Sequence, residues 1–232
     1  MPRVLVLFAH PRLEKSRANR RLIAHVPRDE RITFVDLYER YPDFDVDVQA
    51  EQAQLLAHDI VVWHHPLYWY SAPPLVKQWI DLVLTFGWAY GPHGTALRGK
   101  TLVHVVTTGG AEAAYQHEGV HGWTLSDFLR PLERTATLCG MSWLPPFALH
   151  GTHRLTEDAI DAAARRYGRL LGGLAAGDLI PAVLLAHPPL NADPDEGRPL
   201  PTSSSRPPST WPRPSCACRW PLDSDWDRCS AT

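Results

Sequence analysis

Apolar residues fall into two rhythms along the first three-quarters of the chain. Unbroken runs such as "RVLVLFAH" (3–10), "DIVVWHHP" (59–66) and "KTLVHVVTTGG" (100–110) have the length and β-branched content of strands buried on both faces. "RITFVDLY" (31–38) and "SWLPPFALHG" (142–151) read as two further strands. Between these runs the apolar positions recur at helical spacing: from Ser16 to about His25, over 47–59, from about Leu125 to Leu138, and from Thr156 to about Leu174. Another helix starts at Pro73-Pro74, carries an apolar face of Leu75, Trp79, Leu82, Val83 and Phe86, and is ended by Gly87. This alternation predicts an α/β fold: a five-stranded parallel sheet with helices on both faces.

The pattern stops near residue 178. From Pro181 onward the chain holds 11 of its 22 prolines, and no apolar periodicity survives that density of breakers. The expected organisation is one domain over 1–178 and a Pro-rich, disordered tail over 179–232. Within the tail, Trp211, Trp220 and Trp226 read either as a docking motif or as part of a dispensable extension.

Composition narrows the function classes. At 232 residues and 44% hydrophobic content, the chain can bury one substantial core. A net charge of −2 argues against nucleic acid as a partner, because phosphate contacts need a basic excess. No apolar run reaches the ~20 residues that span a bilayer, and no secretory leader is evident, so an intracellular, cytoplasmic location is expected. Cys139 is alone in the body of the chain and reads as core, while Cys216, Cys218 and Cys229 crowd into the tail without a histidine beside them. Neither a disulfide framework nor a metal site is expected.

Ligands of an open parallel sheet bind beyond the carboxyl ends of its strands, and three loops there are unusual. After the first strand, Ser16 can cap a helix while the amides of Arg17, Ala18 and Asn19 point outward, either as an anion site or as the start of an ordinary basic helix. Neither Gly-x-Gly-x-x-Gly nor Gly-x-x-x-x-Gly-Lys-Ser/Thr is present, so a single phosphate group fits this loop better than a dinucleotide. After the third, "PLYWYSAPP" holds Tyr68, Trp69 and Tyr70 between prolines, which suits a flat aromatic ligand or a dimer partner. After the fourth, Gly109-Gly110 open the backbone to close approach, and Tyr115 and His121 follow in a glycine-containing loop. His58, His64, His65 and His104 lie in or beside strands and read as structural.

Longer motifs sit in one order along the chain: "AHP" (9–11), "SRANR" (16–20), "YPDFDVDVQAEQ" (41–52), "HPLYWYSAPPLVKQWID" (65–81), "GWAYGPHGTALRGK" (87–100), "TTGG" (107–110) and "MSWLPPFALHGT" (141–152). Over roughly residues 3–176 they resemble the flavodoxin-like NAD(P)H:quinone oxidoreductases of the DT-diaphorase type, and within them the ancillary proteins of glutathione-regulated potassium-efflux systems. The resemblance implies a flavodoxin-like fold and a flavin, FMN favoured over FAD. It implies NADH or NADPH as electron donor, and a quinone as acceptor in a ping-pong hydride transfer.

The same resemblance assigns residues. His10, Ser16, Arg17, Ala18 and Asn19 match the segment that holds the flavin phosphate and ribityl chain. Leu67, Tyr68, Trp69 and Tyr70, with Thr107, Thr108, Gly109 and Gly110, match the loops that clasp the isoalloxazine ring. Tyr115 and His121 match the pair beside N1 and O2, where negative charge develops as hydride reaches N5. A homodimer is implied, with Trp88 and Tyr90 as candidates for closing the partner's site. A regulatory role is the alternative: a flavoprotein docked on a membrane potassium channel or antiporter, peripheral on the inner face of the membrane, with incidental reductase activity.

Overall fold

The computed structural model describes residues 1–178, which fold as a parallel sheet between two layers of helices. The expectations for the proline-rich tail, its cysteines and its tryptophans lie outside the described residues.

Three strands form the middle of the sheet: β1 (Val4–Phe8), β3 (Ile60–Pro66) and β4 (Thr101–Thr107). Every residue of all three is buried, as continuous apolar runs require when helices cover both faces. β2 (Ile32–Asp36) is an edge strand and is less buried. The order is β2-β1-β3-β4-β5, with every pair parallel.

The last strand position differs from the expectation of one continuous strand. β5 (Ser142–Trp143) pairs with Thr101 and Leu102, and β6 (Phe147–Leu149) resumes the pairing against Val105 to Thr107. Between them Leu144 still donates to the Leu102 carbonyl (2.9 Å), but Pro145 and Pro146 have no N–H to offer. Two prolines thus break one edge strand into two pieces.

On one face, α1 (Arg17–Ala24) and α6 (Glu157–Ala176) bury Ala18, Leu22, Ile160, Tyr167 and Leu171 against β1, β3 and β4. On the other lie α3 (Val48–Ala57), α4 (Pro74–Val83) and α5 (Leu125–Leu138); a short α2 (Leu37–Arg40) follows β2. α4 buries Leu75, Val76, Trp79, Ile80 and Val83 and stops at Val83. Its apolar stripe is turned toward Val76 and Ile80, so Leu82 is at the margin, 38% exposed, and Phe86 stands on the next turn, 69% exposed. Glu51 of α3 is fully buried between these elements. It accepts from Tyr41 Oη (2.7 Å) and Trp79 Nε1 (2.8 Å), with Arg40 at 3.4 Å. Cys139 is buried, as expected, and burial pushes its thiol up to about 11.

Three histidines sit inside the sheet with no exposed surface: His64, His65 and His104. His65 Nδ1 donates to the Pro66 carbonyl (2.8 Å), and His65 Nε2 meets His104 Nε2 at 2.5 Å. Burial holds all three neutral: it pushes His64 down to about 3, His65 down to about 4, and His104 well below its ordinary value.

That burial sets the acid response of the fold. The unfolded chain takes up protons on these rings as pH falls through ~6.5, while the folded chain does not until near pH 4 or below. In that window the unfolded state binds more protons, so stability present above pH 6.5 is lost on acidification. Each ring contributes at most about 1.4 kcal/mol per pH unit. Urea unfolding at pH 7.5, 5.5 and 4.5 should show a drop of several kcal/mol between the first and last, and a level profile would contradict neutral burial.

Candidate functional site

The loops beyond the carboxyl ends of β1, β3, β4 and β6 converge on a cavity of about 260 Å³. It is lined by His10, Ser16, Asn19, Leu67, Tyr68, Thr107, Thr108 and Gly109 from the sequence-based set. Arg12, Lys15, Pro66, Thr152 and His153 complete the wall. A smaller recess of about 130 Å³ lies at the start of α1, between Lys15, Ser16, Arg17, Ala18, Thr152 and His153.

Ser16 caps α1, its Oγ accepting from the Asn19 N–H (3.2 Å). A chain of hydrogen bonds behind it fixes its polarity. Asn19 is buried, and the two hydrogens of its Nδ2 go to Ser16 Oγ (3.0 Å) and Thr107 Oγ1 (3.0 Å). Its Oδ1 can only accept, so the facing His64 Nε2 (3.1 Å) carries a proton. His64 is held neutral by burial, so its Nδ1 is a lone pair and Tyr167 Oη (3.1 Å) is the donor. Followed forward, every donor points from the core toward the cavity. Both lone pairs of Ser16 Oγ are engaged, and its own O–H is left to donate. The amides of Arg17 and Ala18 also have no partner among the described residues. Three N–H or O–H donors at a helix N-terminus, with Lys15 beside them, make an anion site.

Two assigned residues act differently from their neighbours. Asn19 has no polar atom left for a ligand and holds Ser16 instead. The Arg17 guanidinium is turned away, donating to Glu157 Oε1 from Nε (2.9 Å) and from an Nη (2.5 Å), and to the Leu155 carbonyl (3.2 Å), so Arg17 offers its amide. His10 accepts the Arg12 N–H at Nδ1 (3.1 Å), and burial lowers its pKa.

The aromatic loop is a tight two-residue turn. Tyr68 and Ser71 exchange both backbone hydrogen bonds (2.9 and 3.0 Å), and the two residues between them have positive φ: +47° at Trp69 and +63° at Tyr70. This is a hairpin turn that normally takes Asn-Gly, and each bulky side chain there costs about 1–2 kcal/mol. The strained turn leaves Trp69 93% exposed at its tip. Tyr68 meets the His10 ring edge-on (5.9 Å), and Tyr70 stacks on Phe128 (4.9 Å, 28°).

Tyr70, Gly110, Tyr115 and His121 form a second cluster beyond Gly109. The Tyr115 and His121 rings are 4.7 Å apart, and Tyr70 Oη lies 3.5 Å from His121 Nδ1. A Cβ on Gly110 would fall 3.4 Å from Tyr115 Oη and 3.5 Å from His121 Nε2, so both polar tips converge on this glycine. Burial raises the Tyr115 pKa, keeping the phenol protonated. The amides of Gly109 and Gly110 have no partner among the described residues. One Gly-Gly step therefore joins the cavity to the Tyr115–His121 pair.

Sequence reasoning missed Thr152, His153 and His150. Thr152 N–H donates to the Thr108 carbonyl (3.0 Å), the His153 ring lies 3.1 Å from where a Gly109 Cβ would be, and His150 Nδ1 faces Thr108 Oγ1 (3.0 Å). The signal was present: these residues follow β6, and the carboxyl-end rule applies to the edge strand as it does to the central ones. Trp88 and Tyr90 are half-buried against their own core, leaving Phe86 as the exposed aromatic of that loop. No group of histidine, cysteine and acidic side chains suited to a metal occurs among the described residues.

Residues 2–171 match the family described as having a flavodoxin-like fold. The glutathione-regulated potassium-efflux system ancillary protein KefF of Klebsiella aerogenes is 46% identical over 168 residues, covering 72% of this chain and 94% of that protein. Among solved structures, the general stress protein 14 of Treponema denticola in complex with FMN aligns with a TM-score of 0.71 and 38% identity, covering 75% of this chain and 99% of that one. An NADPH-quinone reductase from P. pentosaceus aligns at 0.67 and 36%, covering 73% and 97%.

The strained turn makes a prediction. Trp69→Asn places a residue that tolerates positive φ where Trp69 makes no packing contact, and should raise stability by about 1 kcal/mol in urea unfolding. It should also weaken binding of a flat aromatic ligand. Lower stability would show that the turn is not strained.

Proposed function

The chain belongs to the flavodoxin-like fold family, and on that premise we propose that it is an FMN-dependent oxidoreductase, taking two electrons from NADH or NADPH and passing them to a quinone. The observation that carries this reading is the donor set at the start of α1: the Ser16 hydroxyl, forced to donate, and the free amides of Arg17 and Ala18. This set suits a phosphate monoester on a ligand whose remainder lies along the cavity between Tyr68 and Gly109. The FMN bound by the Treponema denticola relative supports FMN over FAD.

A bound flavin would supply the two-electron redox chemistry, which protein side chains lack. The chain's own residues do the rest. Ser16, Arg17 and Ala18 would hold the phosphate, with Lys15 adding charge. Tyr68 and the Gly109-Gly110 backbone would bracket the ring, and the two glycines leave their amides open to it. Tyr115 and His121 would hold hydrogen-bond donors at one edge, where negative charge develops during reduction. Tyr70 and Phe128 fix the His121 ring.

The KefF relative supports a setting for this activity: a glutathione-regulated potassium-efflux protein as partner. Among the described residues no helix is long and apolar enough to cross a membrane, so such a partner would bring the chain to the inner membrane face. A homodimer is part of the proposal, with the exposed Phe86 replacing Trp88 and Tyr90 as the aromatic available to a second copy. In the regulatory reading the flavin supports docking, and potassium efflux would survive loss of turnover.

An ultraviolet-visible spectrum of the purified protein, with the released flavin identified by chromatography, tests the cofactor; NAD(P)H oxidation with a soluble quinone tests the reaction. For the site itself, Tyr115→Phe and His121→Gln should each slow reduction of the flavin-loaded protein by NAD(P)H roughly 10- to 1000-fold in stopped flow, with flavin content near normal. Wild-type reduction rates in both variants would remove the pair from the catalytic role.

A further inference from the structure

A second depression adjoins the first. A groove of about 800 Å³ runs between the loop after β1, the outer face of α1 and the end of β2, and His10 borders both spaces. None of the roles above uses it.

Its walls carry three kinds of chemistry. Phe34 on β2 is 38% exposed and offers an aromatic surface. Asp36, at the carboxyl end of β2, caps α2 through Oδ1, which accepts from Tyr38 N–H (3.0 Å) and Glu39 N–H (3.4 Å). Its Oδ2 has no partner among the described residues. The guanidinium of Arg20, on the groove side of α1, forms no ion pair or hydrogen bond among the described residues.

We propose that this groove binds the adenosine end of an adenine dinucleotide, with the base against Phe34, the ribose hydroxyls on Asp36 Oδ2, and the diphosphate toward Arg20. The proposal rests on the flavin reading of the neighbouring cavity. In Rossmann-type dinucleotide sites a carboxylate about 20 residues beyond the glycine turn takes the ribose hydroxyls, and Asp36 occupies the matching place at the end of the strand beside β1, although here the turn at Ser16 is left to the flavin phosphate. The glycine fingerprint of the dinucleotide turn is absent here, and Arg20 supplies the charge that the turn would otherwise provide. Glu39 adjoins Asp36 and Glu14 shares the groove, so a phosphate on the ribose 2′ position meets like charge. The groove therefore suits an unphosphorylated ribose, as in NADH.

Calorimetric titration of adenosine 5′-monophosphate into the flavin-loaded full chain tests this. Asp36→Asn keeps an oxygen to cap α2 and removes the charge; it should weaken binding at least about fivefold, as loss of a charged hydrogen-bond acceptor does, with flavin content unchanged. Phe34→Leu should weaken it too. Adenosine 2′,5′-bisphosphate should bind wild type at least about fivefold more weakly than the monophosphate, and the gap should narrow in Asp36→Asn. No saturable binding, or binding indifferent to both substitutions, would overturn the proposal. Binding to FMN-loaded but not FAD-loaded protein would support the same chemistry with the flavin's own adenosine as its source; binding to both supports an external donor. A chain that takes no flavin yet binds the monophosphate through Asp36 would overturn the proposed function and leave the groove standing.

Discussion

The candidate site depends on the carboxamide of Asn19. It has two hydrogens and one acceptor oxygen, and the fold engages all three with Ser16, Thr107 and His64. His64 is in turn held by Tyr167 of α6, on the far side of a packed layer. Because a buried polar group without a partner costs about 1–3 kcal/mol, the chain has one low-energy polarity, and its last free donor is the Ser16 hydroxyl. The anion site is thereby set from inside the core. The Arg17 guanidinium is tied to Glu157 and takes no part in it, while Arg12 stands in the cavity wall.

Around that fixed end the other loops trade stability for shape. Trp69 and Tyr70 sit in a turn suited to Asn-Gly, which puts aromatic side chains where small residues would be more comfortable. Gly109 and Gly110 do the opposite, removing side chains so that His153, Tyr115 and His121 can close in. The same sheet edge accommodates strain and openness because β1, β3 and β4 beneath it are wholly buried.

Much of this was legible in the sequence, and for physical reasons. β1, β3 and β4 are buried on both faces, so their apolar runs are continuous, and the loops that follow them could be located from those runs alone. Ser16 reads as a cap because its residue type and place before an apolar period permit little else. The break at Pro145-Pro146 was harder to see, since an edge strand tolerates prolines that a central strand would not. Asn19 and Arg17 were identified as site residues, but their orientation depends on partners at positions 64, 107 and 157, which no local pattern displays. The buried His64 read as structural, which it is, while its link to the site appears only in three dimensions. Thr152 and His153 escaped notice because the strand before them is short and interrupted.

The central claim is that a preset donor array at the start of α1 recognises a phosphate monoester on a flavin. Comparing FMN and riboflavin binding to the flavin-stripped wild-type chain tests it most directly, because the two ligands differ only in that phosphate. With the Ser16 hydroxyl and two amides each donating to a charged group, FMN should bind at least about 100-fold more tightly than riboflavin. Affinities equal within about threefold would mean that the phosphate finds no site there, and the account would fail.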